Sequence, residues 1–313
     1  MNAVSVNLPR SVLSQLKLFL ALSRTPHGLL DMATPAVAAL LCYGAFPSLW
    51  IVCLGVVTVF AGYTTVYALN DLVDRRVDRS KSSITPAPDK QDDLDSIFVR
   101  HPVACGLLPF RKALWWALGW GFLTFIGAYL LNPLCVFVFF TSCLLEAFYC
   151  LAWRSGYLKV LISGAVKTSG AVAAIYAVDP HPSPIFLGTV FLWLFFWEMG
   201  GQNTPNDWAD MREDTILQAT TIPVCFGLRW AAAVIMASLV FAIVLSAAVF
   251  SLSPLPNRMA AGTLCLLAAI YLLVIPALTL CRTRQRVAAQ LLFNRASYYP
   301  LACLVSVCLS MLV

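Results

Sequence analysis

Nine long apolar runs, separated by short polar segments, are the feature of this sequence that most constrains its fold. A helix needs about 20 apolar residues to cross a bilayer, and only helices and closed barrels satisfy their backbone polar groups in lipid. Only 12% of the residues are charged, whereas soluble domains average about 25%. We therefore predict an all-α, multi-pass membrane protein that forms one domain over residues 1–313. The nine predicted spans are 27–45, 49–69, 113–131, 134–152, 160–178, 184–200, 230–250, 259–280 and 296–313.

The distribution of lysine and arginine predicts the orientation of the chain in the membrane. Alternate connecting segments, beginning with the N-terminal one, contain 19 of the 21 basic residues, and cytoplasmic segments are those enriched in lysine and arginine. We expect a cytoplasmic N-terminus in a membrane of the bacterial inner-membrane type. The net charge of +6 is explained in this way, and no nucleic-acid partner is expected. The predicted cytoplasmic segments are 1–26, which includes an interfacial helix, 70–112, 153–159, 201–229 and 281–295.

The eleven cysteines lie mostly as single residues in apolar runs, and no two of them form a C-x-x-C pair. Their spacing is not that of a zinc site or of a disulfide framework. We predict small, buried, reduced thiols.

Two acidic motifs repeat one pattern in this apolar chain, NDLVDRRVDR at 70–79 and NDWADMRED at 206–214. Each has aspartates at i, i+3 and i+7, which places three carboxylates along one face of a helix. The first motif follows the second predicted span and the second motif follows the sixth, so both are expected in loops on the cytoplasmic side. The six aspartates are Asp71, Asp74 and Asp78 in the first motif and Asp207, Asp210 and Asp214 in the second.

Carboxylates clustered in this way repel one another unless they share a cation. Mg²⁺ is bound by a few carboxylate oxygens together with waters and substrate phosphates, so we predict that all six aspartates are metal ligands around a diphosphate. A diphosphate site at the mouth of an apolar bundle implies a lipid diphosphate as substrate. Calcium-loop, P-loop and dinucleotide fingerprints are absent from the sequence. The residues predicted to act in catalysis are Asp71, Asp74, Asp207 and Asp210, and the neighbouring arginines predicted to bind phosphate oxygens are Arg75, Arg76, Arg79 and Arg212.

The NDxxDxxxD motif after the second span, the second aspartate-rich motif after the sixth, and the nine spans together resemble the UbiA-type intramembrane prenyltransferases. That superfamily includes the 4-hydroxybenzoate polyprenyltransferases. The resemblance implies a helical bundle around a central cavity, open sideways to lipid and capped by cytoplasmic loops. It also implies Mg²⁺-dependent transfer of a prenyl group from a prenyl diphosphate to a lipophilic or aromatic acceptor typical of quinone precursors. Membrane lipids are expected to surround the protein, and no protein partner is predicted.

The resemblance implies further substrate-binding residues. Asn70 belongs to the first metal–diphosphate set, and Asn206 shapes the second. Where family members have Asn-Arg-Pro after the first motif, this chain has a longer polar loop, 80–99, followed by Arg100-His101-Pro102. His101 therefore occupies the slot of the arginine, and Arg100 is expected to bind the diphosphate from the neighbouring position. The family's Tyr-x-x-x-Lys element is approximated by Tyr149 followed by Trp153-Arg154, one residue out of register. Arg154 and Lys159 are expected either to bind the same phosphate or to anchor this segment on the cytoplasmic side.

Charged and aromatic side chains within the spans add candidates. Lys167 lies about two turns into the fifth span, where ionisable residues are usually functional. It is expected to contact the acceptor or the diphosphate, and pairing with Asp31 or Glu146 remains an open alternative. Aromatic faces near the ends of spans two and four are expected to stabilise an allylic cation or to form an interfacial belt: Tyr63, Tyr67, Phe148, Tyr149 and Trp153.

Alternative functions remain open at this point. A member of the same superfamily could use a porphyrin, a chlorophyll-type alcohol, a glycerol phosphate or a phosphosugar as acceptor, or could act as a terpene cyclase. A transporter or a non-catalytic membrane protein is a further alternative. Transporters, however, place their repeated polar sites at the bilayer midplane, whereas the motifs here follow the spans.

Overall fold

The computed structural model describes residues 11–84, 98–151 and 156–312, and these residues are almost entirely helical. The predicted all-α class is therefore confirmed. Short π-helical segments occur at Glu198–Asn203 and Ile270–Val274. The α-helices are α1 Val12–Leu22, α2 Thr25–Asp31, α3 Ala33–Tyr43, α4 Leu49–Ile84, α5 Phe110–Leu131, α6 Pro133–Leu151, α7 Lys159–Val178, α8 Pro184–Trp197, α9 Thr204–Ala209, α10 Met211–Ile216, α11 Ile222–Leu252, α12 Arg258–Ala269, α13 Ile275–Thr283, α14 Arg286–Ser297 and α15 Tyr299–Leu312.

Eight helical segments among the described residues are long and apolar enough to cross a membrane, so the protein is a multi-pass membrane protein. The predicted count of nine is approximate because the span at 27–45 is divided between α2 and α3. The break lies at Met32, between Asp31 and Ala33. Pro35 contributes to it, because proline has no N–H to donate to the carbonyl of Asp31. The Thr34 hydroxyl donates to that carbonyl instead, at 2.9 Å.

The first acidic motif lies on a helix that is much longer than a span. α4 has 36 residues, which corresponds to about 54 Å at 1.5 Å per residue and exceeds the roughly 30 Å of the hydrocarbon core. The start of the predicted loop at 70–112 is thus helical to Ile84. Most of the 80–99 loop lies outside the described residues. Because the helix continues without a break, it presents the motif's aspartates at the end of the bundle.

The second motif lies on an interrupted element. α8 passes into the π-helical turn at Glu198–Asn203, which is followed by the two six-residue helices α9 and α10. Gly200 and Gly201 permit close packing at the turn, because added Cβ atoms would lie 2.8 Å from the Ser238 Cβ and 2.9 Å from the Ala296 Cβ. π-helical turns are frequent at functional sites, and here the turn immediately precedes the motif.

A large buried cluster formed by α3, α7, α8 and α11–α15 holds this half of the bundle in place. Trp193 and Trp197 are fully buried in it, and the Trp197 indole donates to the Ala296 carbonyl at 3.0 Å. The prediction of reduced thiols is wrong for one pair, since Cys265 and Cys303 form a disulfide with Cα atoms 5.0 Å apart. Packing of α12 on α15 brings these two residues together across a sequence separation of 38, which their spacing does not reveal.

Candidate active site

A cavity of about 1030 Å³ lies inside the bundle, with both acidic motifs at one end. α4 lines it from Ile51 to Lys81, and the stretch from Ile51 to Asp74 alone corresponds to about 35 Å of helix. The cavity therefore extends through a distance comparable with the thickness of the hydrocarbon core. Its wall is polar near the motifs and mostly apolar beyond them, where it is formed by residues such as Ala39, Leu40, Val52, Val56, Val59 and Phe139.

Aspartates of the first motif face two directions. Asp74 and Asp78 line the cavity, whereas Asp71 lines a small adjoining recess beside His101. The Asn70 amide connects this motif to its surroundings, because its Nδ2 donates to Glu146 at 2.5 Å and its Oδ1 accepts from Arg24 at 3.3 Å. Asn70 is therefore a positioning group within the motif.

His101 lies between two of these carboxylates. Its Nδ1 is 2.9 Å from Asp71 Oδ1 and 2.9 Å from Asp78 Oδ2. Burial lowers the pKa of the imidazole, but the hydrogen bonds to both aspartates outweigh burial and raise that pKa above its ordinary value of 6.5. The two carboxylates therefore favour the protonated form of the imidazole in the absence of a metal. The sequence places this histidine only in an arginine's slot and does not indicate these contacts.

The second motif is paired with lysines from other helices. Lys159 Nζ of α7 lies 3.0 Å from Asp207 Oδ1. Lys81 Nζ, near the end of α4, lies 2.9 Å from Asp214 Oδ1 and 3.9 Å from Asp210 Oδ2. Because Lys81 belongs to the helix that carries the first motif, this bridge holds the two motifs at one mouth of the cavity.

Most of the predicted substrate-binding residues line the cavity, but the four arginines within the motifs, Arg75, Arg76, Arg79 and Arg212, do not. Arg75 lies over the Phe110 ring at 4.3 Å, and Arg79 donates to the Ala104 carbonyl at 3.2 Å. Consecutive helical residues point about 100° apart, so an arginine next to a cavity-facing aspartate points in another direction. Arg212 is also exposed outside the cavity, whereas the residues that do line it are Asn70, Arg100, Tyr149, Lys159, Lys167 and Asn206.

Two cations that no sequence motif indicates lie at the polar end of the cavity, where the motif arginines were expected. Arg24 and Lys81 both line the polar end of the cavity. Arg24 comes from the segment between α1 and α2, far from either motif in sequence, so no local pattern predicts its position. Arg154, which was also predicted to bind the diphosphate, lies outside the described residues.

A buried polar network lies deeper in the cavity around Lys167. Its Nζ is 2.5 Å from Asp31 Oδ2, 2.8 Å from the Tyr67 hydroxyl and 3.3 Å from His27 Nε2. The Tyr67 hydroxyl also donates to Asp31. Pairing of Lys167 with Asp31, the open alternative from the sequence, is confirmed. Lys167 follows Lys159 by eight residues, so this network lies about 12 Å along α7 from the second motif.

Glu198, at the start of the π-helical turn, adds an anionic group to this part of the cavity. It is 3% exposed and lines the cavity. Its Oε1 accepts from the Ser163 hydroxyl at 2.8 Å, whereas its Oε2 has no hydrogen-bond partner among the described residues. A buried carboxylate oxygen without a partner is costly, so Glu198 is suited to receive a hydrogen-bond donor from a ligand.

Aromatic rings border the region between the motifs and this network. The Tyr63 and Tyr67 rings are stacked with centroids 6.3 Å apart, and His27 stacks on Phe293 at 5.6 Å. All four side chains line the cavity, as does Tyr149. Phe148 does not, since it is 59% exposed on the outside of the bundle, and Trp153 lies outside the described residues.

The residues at the polar end fit a magnesium site by their chemistry. Six carboxylates are supplied by α4 and by the α9–α10 segment, and oxygen donors of this kind are the ligands that Mg²⁺ prefers. Each motif has one buried oxygen, Asp71 Oδ2 and Asp214 Oδ2, that lacks a hydrogen-bond partner within the part of the chain described. A cation at each motif would satisfy these oxygens.

The comparisons with known proteins agree with this geometry. The sequence matches the model of the UbiA prenyltransferase family over residues 32–298. No curated protein matches the chain.

Solved structures share the fold at low sequence identity. A UbiA homologue from Aeropyrum pernix K1 is similar with a TM-score of 0.70 at 20% identity, over 91% of this chain and 98% of that one. A UbiA homologue from Archaeoglobus fulgidus bound to GPP and Mg²⁺ gives a TM-score of 0.69 at 16% identity, over 95% and 100% of the two chains. A digeranylgeranylglyceryl phosphate synthase gives 0.62 at 16% identity, over 96% and 100%.

Proposed function

Because the chain belongs to the UbiA prenyltransferase family, we propose that it transfers a prenyl group from a prenyl diphosphate to an aromatic, quinone-precursor-like acceptor within the membrane. The observation that supports this most directly is the cavity of about 1030 Å³, which has residues of both aspartate motifs at its polar end and apolar walls beyond them. Such a cavity suits a molecule with a diphosphate head, which would lie at the polar end, and a hydrocarbon tail, which would lie along the apolar walls. The homologue from Archaeoglobus fulgidus binds GPP with Mg²⁺, which supports the same reading.

The head-group site combines the six aspartates with nearby cations. Mg²⁺, when bound by Asp71, Asp74, Asp78, Asp207, Asp210 and Asp214, neutralises the negative charge that develops on the leaving diphosphate. Lys81, Lys159, Arg24 and Arg100 are placed to bind phosphate oxygens, since all four line the polar end. Lys81 and Lys159 would release their aspartates to the metal as they do so.

The reaction then proceeds in the aromatic-lined part of the cavity. The allylic carbon–oxygen bond breaks, the electron pair leaves with the diphosphate, and an allylic cation remains. The stacked faces of Tyr63 and Tyr67 attract such a cation, by up to about 2 kcal/mol in a dry site. A ring carbon of the acceptor forms the new carbon–carbon bond with the cation, and the ring then loses one proton.

The acceptor is proposed to lie against Lys167 and Glu198. Lys167 offers a charged donor to a polar ring substituent, and Glu198 Oε2 offers an acceptor that no described residue uses. In this arrangement Glu198 takes the ring proton, while the pairing of Lys167 with Asp31 fixes the lysine in position. The motif end is proposed to face the cytoplasm, as the distribution of basic residues indicates.

The test is product analysis with purified protein in detergent or nanodiscs. Wild-type protein, Mg²⁺ and prenyl diphosphates of increasing length are incubated with aromatic, glycerol-phosphate and porphyrin acceptors. Released diphosphate and product mass are then measured. We expect a product whose mass is that of an aromatic acceptor plus one prenyl group, and its loss in Asp71→Ala and Asp207→Ala. Asp179→Asn, at the opposite end of α7, is the control and should retain activity.

Other outcomes identify the alternatives. Prenylation of only a non-aromatic acceptor would support the transferase activity but exclude an aromatic acceptor. Diphosphate release with a cyclic hydrocarbon product and no acceptor would indicate a cyclase. Absence of diphosphate release with every donor and acceptor would contradict the proposal.

A further inference from the structure

His101 and two aspartates of α4 form a compact group of possible metal ligands. Asp71 and Asp78 are seven residues apart on one helix, which places both carboxylates on one face two turns apart. The His101 backbone has a φ of 52°, a left-handed conformation that is uncommon for a residue other than glycine. Adopting it allows the segment before α5 to bring the imidazole between these two side chains.

The spacing within this group matches the edges of an octahedron. Ligand atoms about 2.1 Å from a metal in octahedral coordination lie about 3 Å apart at neighbouring corners and about 4.2 Å apart at opposite ones. His101 Nδ1 is 2.9 Å from an oxygen of each aspartate, and all three ligand atoms lie within 4.8 Å of one another. The imidazole nitrogen is thus spaced from each carboxylate oxygen as adjacent ligands of one ion would be.

The buried carboxylate of Asp71 gives an independent indication that this group binds a cation. Asp71 is 2% exposed, and its Oδ2 has no hydrogen-bond partner among residues 11–84, 98–151 and 156–312. The imidazole contacts only the other oxygen of this carboxylate. A buried carboxylate oxygen without a partner costs free energy, and a metal ion at this position would remove that cost.

We propose that His101 is a metal ligand, which binds through Nδ1 the divalent ion held by Asp71 and Asp78. This rests on the proposed function, because it concerns the first of the two metal positions at the diphosphate site. Imidazole favours transition metals, whereas carboxylates alone suit Mg²⁺ and Mn²⁺. The first motif therefore prefers Mn²⁺ to Mg²⁺, and the second, whose described neighbours add lysines and no imidazole, does not.

The direct test is pulsed electron paramagnetic resonance of bound Mn²⁺. Wild-type protein, purified with an affinity tag that contains no histidine, receives less than one equivalent of Mn²⁺, and electron spin echo envelope modulation is recorded. We expect modulation from an imidazole ¹⁴N, its replacement by ¹⁵N features after labelling with [¹⁵N]histidine, and its loss in His101→Ala. Mn²⁺ affinity in that variant should fall at least about tenfold, as for losses of residues that support a metal ligand.

Controls make each outcome decisive. The chain has three histidines, and the exposed His181 provides the matched variant, His181→Ala, in which the nitrogen signal should persist. His101→Arg restores the family's cation at this position and should also lose the signal. Labelling with [¹⁵N]histidine needs no substitution, so the test holds even if the variants do not fold.

Mn²⁺ bound without nitrogen modulation would overturn the proposal, as would modulation that persists in His101→Ala. Diphosphate release, measured separately with Mg²⁺, distinguishes this failure from failure of the proposed function. Diphosphate release without nitrogen coupling would support the proposed transferase activity and show that His101 is not a metal ligand. Nitrogen coupling without diphosphate release would support His101 as a metal ligand and contradict the proposed transferase activity.

Discussion

The two aspartate motifs have the same spacing but different surroundings. The first lies on one unbroken helix, and its carboxylates face an imidazole. The second follows a π-helical turn on two short helices, and its carboxylates face the ammonium groups of Lys81 and Lys159. An imidazole nitrogen can ligate a metal, whereas a charged lysine offers only donors. The repeated spacing thus indicates carboxylate sites for a metal and a diphosphate. The groups that face the carboxylates, an imidazole in one motif and ammonium groups in the other, distinguish the two sites.

Lys81 couples the two motifs. It lies three residues beyond Asp78 on α4, yet its ion pairs are with Asp210 and Asp214. Displacing this lysine, when metal and diphosphate arrive, would affect both motifs together. The comparison therefore predicts that the motifs differ in metal chemistry and stability but act as one unit on the diphosphate.

The largest expected effect is on turnover. Asp74→Asn and Asp210→Asn should each lower the rate of diphosphate release about 1000-fold, comparable to removal of a main electrostatic group from an active site. Steady-state release assays with Mg²⁺ measure this, with Asp179→Asn as the control. Near-normal turnover in one of the two variants would show that the corresponding motif does not contribute.

A second prediction concerns stability and separates the motifs. Lys159→Met leaves the buried carboxylate of Asp207 without its 3.0 Å partner, and breaking a buried ion pair in this way costs about 3 kcal/mol. The free energy of unfolding, measured by SDS titration in mixed micelles without divalent metal, should fall by that amount. Lys112→Met, at the exposed start of α5, is the matched control. An unchanged free energy would mean that Lys159 does not stabilise the second motif.

The smallest effect is expected far from both motifs. Gly55 lines the cavity, and a Cβ there would meet no atom within 4 Å, so we expect the side chain in Gly55→Phe to extend into cavity space. It lies about 28 Å along α4 from Asp74. We expect about a tenfold loss of kcat/KM for the prenyl diphosphates whose tails reach it, in the range for a contact within an apolar pocket.

The control for that prediction is another glycine. Gly119 also has no atom within 4 Å of an added Cβ, but it faces away from the cavity on α5, so Gly119→Phe should leave the length preference unchanged. Kinetics over a series of donor lengths make the comparison. Equal losses for all lengths in Gly55→Phe would mean that the tail does not occupy this part of the cavity.

Much of this architecture follows from local sequence signals. Long apolar runs predict the spans because lipid leaves few alternatives. The i, i+3, i+7 spacing predicts one helix face for each motif, but the second motif does not lie on one helix, because α9 ends before Asp210 and α10 begins after it. The division of the first span is also local, since Pro35 removes a helical hydrogen bond. The arginines of the motifs do not line the cavity, because the direction of each side chain on its helix, and not its charge alone, decides which residues face it.

The remainder depends on contacts between distant segments. His101 meets Asp71 across 30 residues, and Lys81 meets Asp214 across more than a hundred. Cys265 and Cys303 pair because α12 packs on α15. No spacing rule in a single sequence identifies such pairs. The aspartates could therefore be predicted from the sequence, but the residues that pair with them could not.

If both motifs bind one diphosphate, substitutions in the two motifs should be coupled, and a double-mutant cycle on ligand binding measures this coupling. A non-reactive prenyl thiolodiphosphate is titrated calorimetrically, with Mg²⁺, into wild type, Asp74→Asn, Asp210→Asn and the double variant. We predict that the losses of binding free energy are not additive, with an interaction energy of at least about 1 kcal/mol. Losses that add within about 0.5 kcal/mol, as for independent sites, would contradict the account.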